Sequence, residues 1–159
     1  MAAEDLNIRV DHVGIAVESV EDAEPLLTTF GCEKLIDDTV EDRFRYAYYR
    51  LGDASRIELI EPIAEESFLT DFLDRHGRGL HHVTLEVADI DAVIDTLGAA
   101  DVDVVDRRSY EGWTEAFVSP RNDTGVLFQL MEYHEPFATE QGIDPGTLYV
   151  GGDRLSADE

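Results

Sequence analysis

Two histidines, a glutamate and a glutamine recur at matched places along this chain. His12 sits in DHVGI, residues 11–15, and His82 in GLHHV, residues 79–83. Glu58 lies in RIELI and Gln129 in LFQLM. His12 and His82 are 70 residues apart, and Glu58 and Gln129 are 71 apart. Nearly equal offsets are the mark of an internal duplication. Two imidazoles, a carboxylate and an amide oxygen suit a borderline divalent cation with positions left for water or substrate. A lone histidine on a strand is more often a packing residue than a ligand. Here the coincidence of four donors at equivalent positions points to a metal.

Positioning them requires two copies of one module. DHVGIAVESVEDAEPLLTTFG (11–31) aligns with HHVTLEVADIDAVIDTLG (81–98), the first copy carrying a few extra residues. Each opens on His-Val, alternates as a strand, turns helical and stops at a glycine. Asp89 caps the second helix, with Ile90, Val93, Ile94 and Leu97 on one face and Gly98 at its end. Ser19 with Asp22 reads as a capping box for the first, but Pro25 is tolerated best near a helix start, which places the regular helix nearer Glu24. Residues 45–62 read as two strands about a turn at Gly52-Asp53, and 115–133 as two more about a turn from Pro120 to Gly125. The expected fold is α+β, two tandem βαβββ modules at about 8–62 and 79–133 in a cupped mixed sheet. A linker helix at 64–77 presents Phe68, Leu69, Phe72 and Leu73 on one side and ends at a solvated His76. Together these form one domain over 1–135, followed by an acidic extension, 136–159, with an ordered stretch near Leu148-Tyr149-Val150 and fraying beyond it.

Strand parity then separates the adjacent histidines. Successive side chains on a strand point to opposite faces. Val83, Leu85 and Val87 must cover the helix, so His82, Thr84 and Glu86 look to the other side and His81 becomes a strand-edge or packing residue. In the first copy Val13, Ile15 and Val17 cover the helix, leaving His12 with the small Gly14 and Ala16 and room for a ligand. Ile57 and Leu59 face the helix and Glu58 does not; Phe128, Leu130 and Gln129 repeat that arrangement.

Composition narrows the partners. The chain has 159 residues, 43% of them hydrophobic, and a formal charge of −24. A charge of that sign repels phosphate backbones, which argues against nucleic acid. No apolar run is long enough for a membrane span, and the N-terminus lacks a secretory pattern. One cysteine, Cys32, expected buried and inert, suits a reducing cytoplasm. Acidic residues spread along the whole chain, with Lys34 the only lysine, resemble the proteins of salt-loving archaea, where salt screens self-repulsion.

The stretches DHVGIAV, IELIEP, GRGLHHVTLEVADIDA and SPRNDTGVLFQL, spanning about residues 8 to 133, resemble the vicinal oxygen chelate superfamily. That superfamily includes glyoxalases, bleomycin-resistance proteins and extradiol dioxygenases, and the closest resemblance is to its methylmalonyl-CoA epimerases. The resemblance implies a divalent metal held by His12, Glu58, His82 and Gln129; cobalt, manganese, zinc, nickel and iron are not distinguished. It implies a metal-dependent isomerase acting on a carboxylated acyl-CoA thioester through a stabilised enolate. A glyoxalase-type lyase, an extradiol dioxygenase and a non-catalytic binding member stay open beside it. Gln129 departs from the pattern: the family has a proton-transferring glutamate there, and an amide accepts no proton. Glu58 is then the candidate base, with Glu115, Tyr46 or Tyr48 as candidates for a second acid/base group. Tyr46, Tyr48, Trp113 and Arg121 are candidate substrate contacts, Trp113 at the cleft mouth and Arg121 toward a coenzyme A phosphate or simply balancing Asp123. A small-molecule substrate is the expected partner, and a homodimer is compatible with the sequence.

Overall fold

Each of the two long connecting helices begins where an alternating strand pattern meets a capping side chain, and the caps recur at the spacing of the histidines. The computed structural model describes residues 8–51, 55–119, 121–134, 148–150 and 153–155. The first module is β1 (Ile8–Ala16), α1 (Val20–Thr29), β2 (Glu33–Val40), β3 (Phe44–Leu51) and β4 (Ser55–Pro62). After α2 (Phe68–His76) the second follows as β5 (Gly79–Val87), α3 (Ile90–Ala99), β6 (Val104–Ser109), β7 (Trp113–Val118) and β8 (Leu127–Tyr133). The expected βαβββ pair is therefore present. Hydrogen bonds join the strands of the first module in the order β2-β3-β4-β1 and those of the second in the order β5-β8-β7-β6. The β1–β4 and β5–β8 pairs are parallel, while β2–β3, β3–β4, β6–β7 and β7–β8 are antiparallel. A short antiparallel pair, β9 (Leu148–Val150) with β10 (Asp153–Leu155), places the strand expected near Leu148. The Gly52-Asp53 turn, Pro120 and most of the acidic extension lie outside the described residues. Among the described residues no helix is long and apolar enough to cross a membrane.

The chain divides into two compact units, His12–His81 and Met1–Asp11 with His82–Glu159. In the first, Val17, Val20, Leu27, Ala47, Tyr49 and Leu59 form a core with Ile15 and Ile57 packed on it. Ile15, Val17, Ile57 and Leu59 are among the helix-facing residues that parity selects. A second cluster gathers Ala16, Ile60 and Leu69, with Phe44, Tyr46, Phe72 and Leu73 around it. Ala16, expected to leave room for a ligand, is instead fully buried in this cluster. The apolar side of α2 supplies its partners, because Leu69 must itself leave water, a gain of about 1.5–3 kcal/mol for a leucine. Phe68 of the same helix stays 46% exposed. In the second unit Val87, Ile90, Val93, Ala116, Val118 and Leu130 form the matching core. Cys32 is half-buried against the first core rather than fully buried.

Three expectations about the helices need correction. First, α1 starts at Val20, not near Glu24. Ser19 Oγ accepts from Asp22 N at 3.2 Å, and Glu61 Oε1 accepts from Val20 N at 2.7 Å. With those amides satisfied the first turn forms, and Pro25 sits inside the helix, where it removes only one main-chain donor. Second, α3 runs past Gly98 to Ala99. Its left-handed stop is Asp101, at φ 60°, where the first module uses Gly31 at φ 90°. Aspartate is among the few side chains that visit this region readily. Third, the first copy has no extra residues. Cys32 N bonds Leu27 O and Val102 N bonds Leu97 O, so the same offset holds from the histidines to both helix ends.

Candidate metal centre

Strand register brings His12 and Glu58 together within the unit His12–His81. On the parallel β1–β4 ladder Gly14 stands opposite Glu58, two residues along the same face from His12. His12 is 1% exposed and Glu58 8%. Nε2 of His12 lies 3.5 Å from Oε1 of Glu58. The residue opposite Glu58 on β3 is Tyr48. Its hydroxyl lies 3.5 Å from Nε2 of His12, and the two rings meet edge to face with centroids 4.9 Å apart. Tyr46, two residues back, stacks its ring edge against Tyr48 at 5.9 Å. Burial pushes the Tyr46 phenol above its usual range, and the carboxylates of Asp38 and Glu58 add to that. The guanidinium of Arg56, also buried, lies 5.8 Å from the centre of the Tyr48 ring.

The other unit repeats the register with different chemistry. His82 on β5 is 7% exposed, and Thr84 stands opposite Gln129 on the parallel β5–β8 ladder. Thr84 is fully buried and its hydroxyl donates to Oε1 of Gln129 at 2.7 Å. One of the two lone pairs of the amide oxygen that would serve a cation is thus already engaged. Sequence reasoning placed Thr84 on this face but assigned it no part; it falls where the first module has Gly14, and a hydroxyl where the repeat has no side chain was the available signal. Phe117 stands opposite Gln129, where the first module has Tyr48 opposite Glu58.

Within one unit the buried His12 and Glu58 bring an imidazole nitrogen and a carboxylate oxygen to 3.5 Å, and His82 is the buried imidazole at the matching place in the other. Bonds of about 2.1 Å set adjacent ligand atoms of one ion about 3 Å apart and opposed ones about 4.2 Å apart. At 3.5 Å, His12 and Glu58 need close by only a fraction of an ångström to serve as adjacent ligands of a single ion. Their chemistry, imidazole and carboxylate out of bulk water, fits a divalent metal of the borderline class.

The adjacent histidine behaves differently. His81 packs its ring against Phe68 at 5.7 Å and Phe72 at 4.8 Å, the packing role parity assigned to it. His76, at the exposed end of α2, also rests on Phe72, at 4.9 Å. Trp113 stacks on Tyr110, donates Nε1–H to Glu115 and packs against Met131 and Tyr133. That is a packing role within its own unit. Arg121 is exposed in the turn before β8, where its backbone N–H donates to Ser119 Oγ. Asn122 organises that turn, donating to the carbonyls of Ser119 and Val126.

Comparison with known proteins agrees with this architecture. Residues 11–118 match the Glyoxalase/Bleomycin resistance protein/Dioxygenase superfamily. Protein YqjC of Bacillus subtilis, itself uncharacterised, is 35% identical over 129 residues, covering 78% of this chain and 91% of YqjC. The ethylmalonyl-CoA/methylmalonyl-CoA epimerase of Cereibacter sphaeroides is 30% identical over 128 residues, covering 77% of this chain and 96% of the enzyme. A solved structure of a Streptomyces coelicolor methylmalonyl-CoA epimerase variant with 2-nitronate-propionyl-CoA superposes with a TM-score of 0.70 at 29% identity, covering 82% of this chain and 96% of that one.

Proposed function

Since the chain belongs to the Glyoxalase/Bleomycin resistance protein/Dioxygenase superfamily, we propose that it is a metal-dependent epimerase acting on a carboxylated acyl-CoA thioester such as methylmalonyl-CoA. The observation that carries the reading is the buried pairing of His12 with Glu58 on one sheet face. These two residues, with His82 and Gln129 as further donors, would hold a divalent ion. When bound, such an ion supplies a Lewis acid that lowers the cost of negative charge on the substrate's carbonyl oxygens.

The chain's own residues then divide the work. The carbon between a carboxylate and a thioester carries an acidic proton, and its removal leaves an enolate. Of the four donors only Glu58 accepts a proton, so Glu58 takes it from one face of the carbon, and a second acid, for which Glu115 is the candidate, delivers another to the opposite face so that the centre inverts. Gln129 serves through its oxygen alone. Tyr46, which keeps its proton, and Tyr48 line the same face of the first module and orient the acyl group beside Glu58.

The engagement of Gln129 by Thr84 favours a second reading, a non-catalytic binding member that has discarded the family's base. One experiment separates the two. Protein purified without chelator is assayed for metal, then incubated with methylmalonyl-CoA in deuterated buffer with saturating cobalt or manganese. Deuterium at C2 supports the epimerase. Bound metal without exchange on any acyl-CoA leaves the binding member. Protein that takes up no divalent ion overturns the epimerase and leaves a metal-free binding member.

A further inference from the structure

We infer that Tyr48 is a catalytic residue whose hydroxyl donates a hydrogen bond to the enolate, an inference that rests on the epimerase reading. Tyr48 and Glu58 stand directly opposite each other on β3 and β4, so their side chains share one sheet face. The Tyr48 hydroxyl lies 3.5 Å from Nε2 of His12, the nitrogen that also faces Glu58. At the equivalent register of the second module, opposite Gln129, the residue is Phe117. Packing at this register therefore asks for an aromatic ring and no more. The hydroxyl is an addition, present in the module that carries the carboxylate and absent from the one that carries the amide.

The chemistry of His12 gives the hydroxyl its use. A neutral imidazole has one nitrogen lone pair, so Nε2 can accept from Tyr48 or ligate a metal, but not both. With His12 serving as a ligand, the Tyr48 proton turns to another acceptor. An oxygen of the acyl group seated beside His12 and Glu58 is such an acceptor. The C–H bond breaks, its electron pair moves onto the thioester oxygen, and Glu58 takes the proton. Tyr48 stays a phenol throughout and stabilises the charge where it appears. A fixed donor aimed at developing charge is among the strongest contributions a side chain makes to such a step.

The test is Tyr48→Phe, a substitution that Phe117 shows the register accommodates. Metal-loaded wild type and variant are titrated with 2-nitronate-propionyl-CoA, a planar anion that mimics the enolate, and with propionyl-CoA, which does not. Metal content and melting temperature are measured alongside. The expected result is unchanged metal content, propionyl-CoA affinity within about threefold, and nitronate affinity and α-proton exchange both weakened about 100-fold, the scale of a lost oxyanion donor. Tyr48→Phe that keeps the wild-type preference for the nitronate overturns the role of Tyr48 and leaves the epimerase reading intact. Wild type that binds the nitronate no better than propionyl-CoA overturns both.

Discussion

The N-termini of α1 and α3 are each held by a glutamate from the strand that carries a candidate ligand, and removing either should be costly. Glu61 Oε1 accepts from Val20 N at 2.7 Å, and Glu132 Oε1 accepts from Ile90 N at 2.9 Å. Val20 is fully buried and Ile90 1% exposed, so water cannot readily replace either carboxylate. A hydrogen bond to a charged group contributes about 1.5–3 kcal/mol, and a stranded buried donor costs about 1–3 kcal/mol. Glu61→Ala and Glu132→Ala should therefore each lose about 2 kcal/mol. For a chain of this size 1 kcal/mol corresponds to about 2–4 °C in Tm, giving a drop of about 4–8 °C in calorimetry. Gln in either place keeps an acceptor oxygen and forfeits only the charge at the helix N-terminus, about 0.3–1 kcal/mol. The consequence reaches the site, because β4 holds Glu61 on its helix side and Glu58 on the other. An alanine variant melting within 1 °C of wild type, or glutamine as damaging as alanine, refutes the capping argument.

Three further outcomes are expected. His82→Ala should abolish metal uptake, whereas His81→Ala should retain it and lower Tm through lost contact with Phe68 and Phe72; equal metal content in the two variants refutes the parity assignment. Hydrogen bonds from Arg45, then Lys34, hold the Asp37 carboxyl well below the usual carboxylate range. A depressed folded value means this stabilisation is complete above roughly pH 4 and is lost as pH falls through that lowered value. Its size is about 1 kcal/mol or less for so exposed a network, so Asp37→Asn should flatten the acid limb of stability below pH 4, and an unchanged limb counts against it. With a formal charge of −24, Tm should fall as salt is lowered from molar to millimolar concentration, because self-repulsion is then unscreened; a flat profile removes the salt-loving reading.

The module plan was legible because strand and helix periods and the offset of about 70 residues are properties of the chain itself. Parity alone separated His82 from His81, since a strand alternates faces whatever surrounds it. The same rule set His12 and Glu58 on one face, where they lie 3.5 Å apart. What the sequence could not decide depends on which side chain answers which backbone group. Pro25 argued for a late helix start, and Glu61, contributed by a strand 41 positions away, overrode it. Gly98 looked like a stop, yet Asp101 holds the left-handed position because the offset of the first module carries through. Ala16 looked like open space beside His12 until Leu69 of the linker helix closed over it. Gln129 looked like a plain substitution for glutamate, and only the β5–β8 register reveals that Thr84 holds its oxygen. Periodicity is local and survives in one dimension, whereas hydrogen-bond partners are chosen by distance in space, which the linear order of residues does not contain.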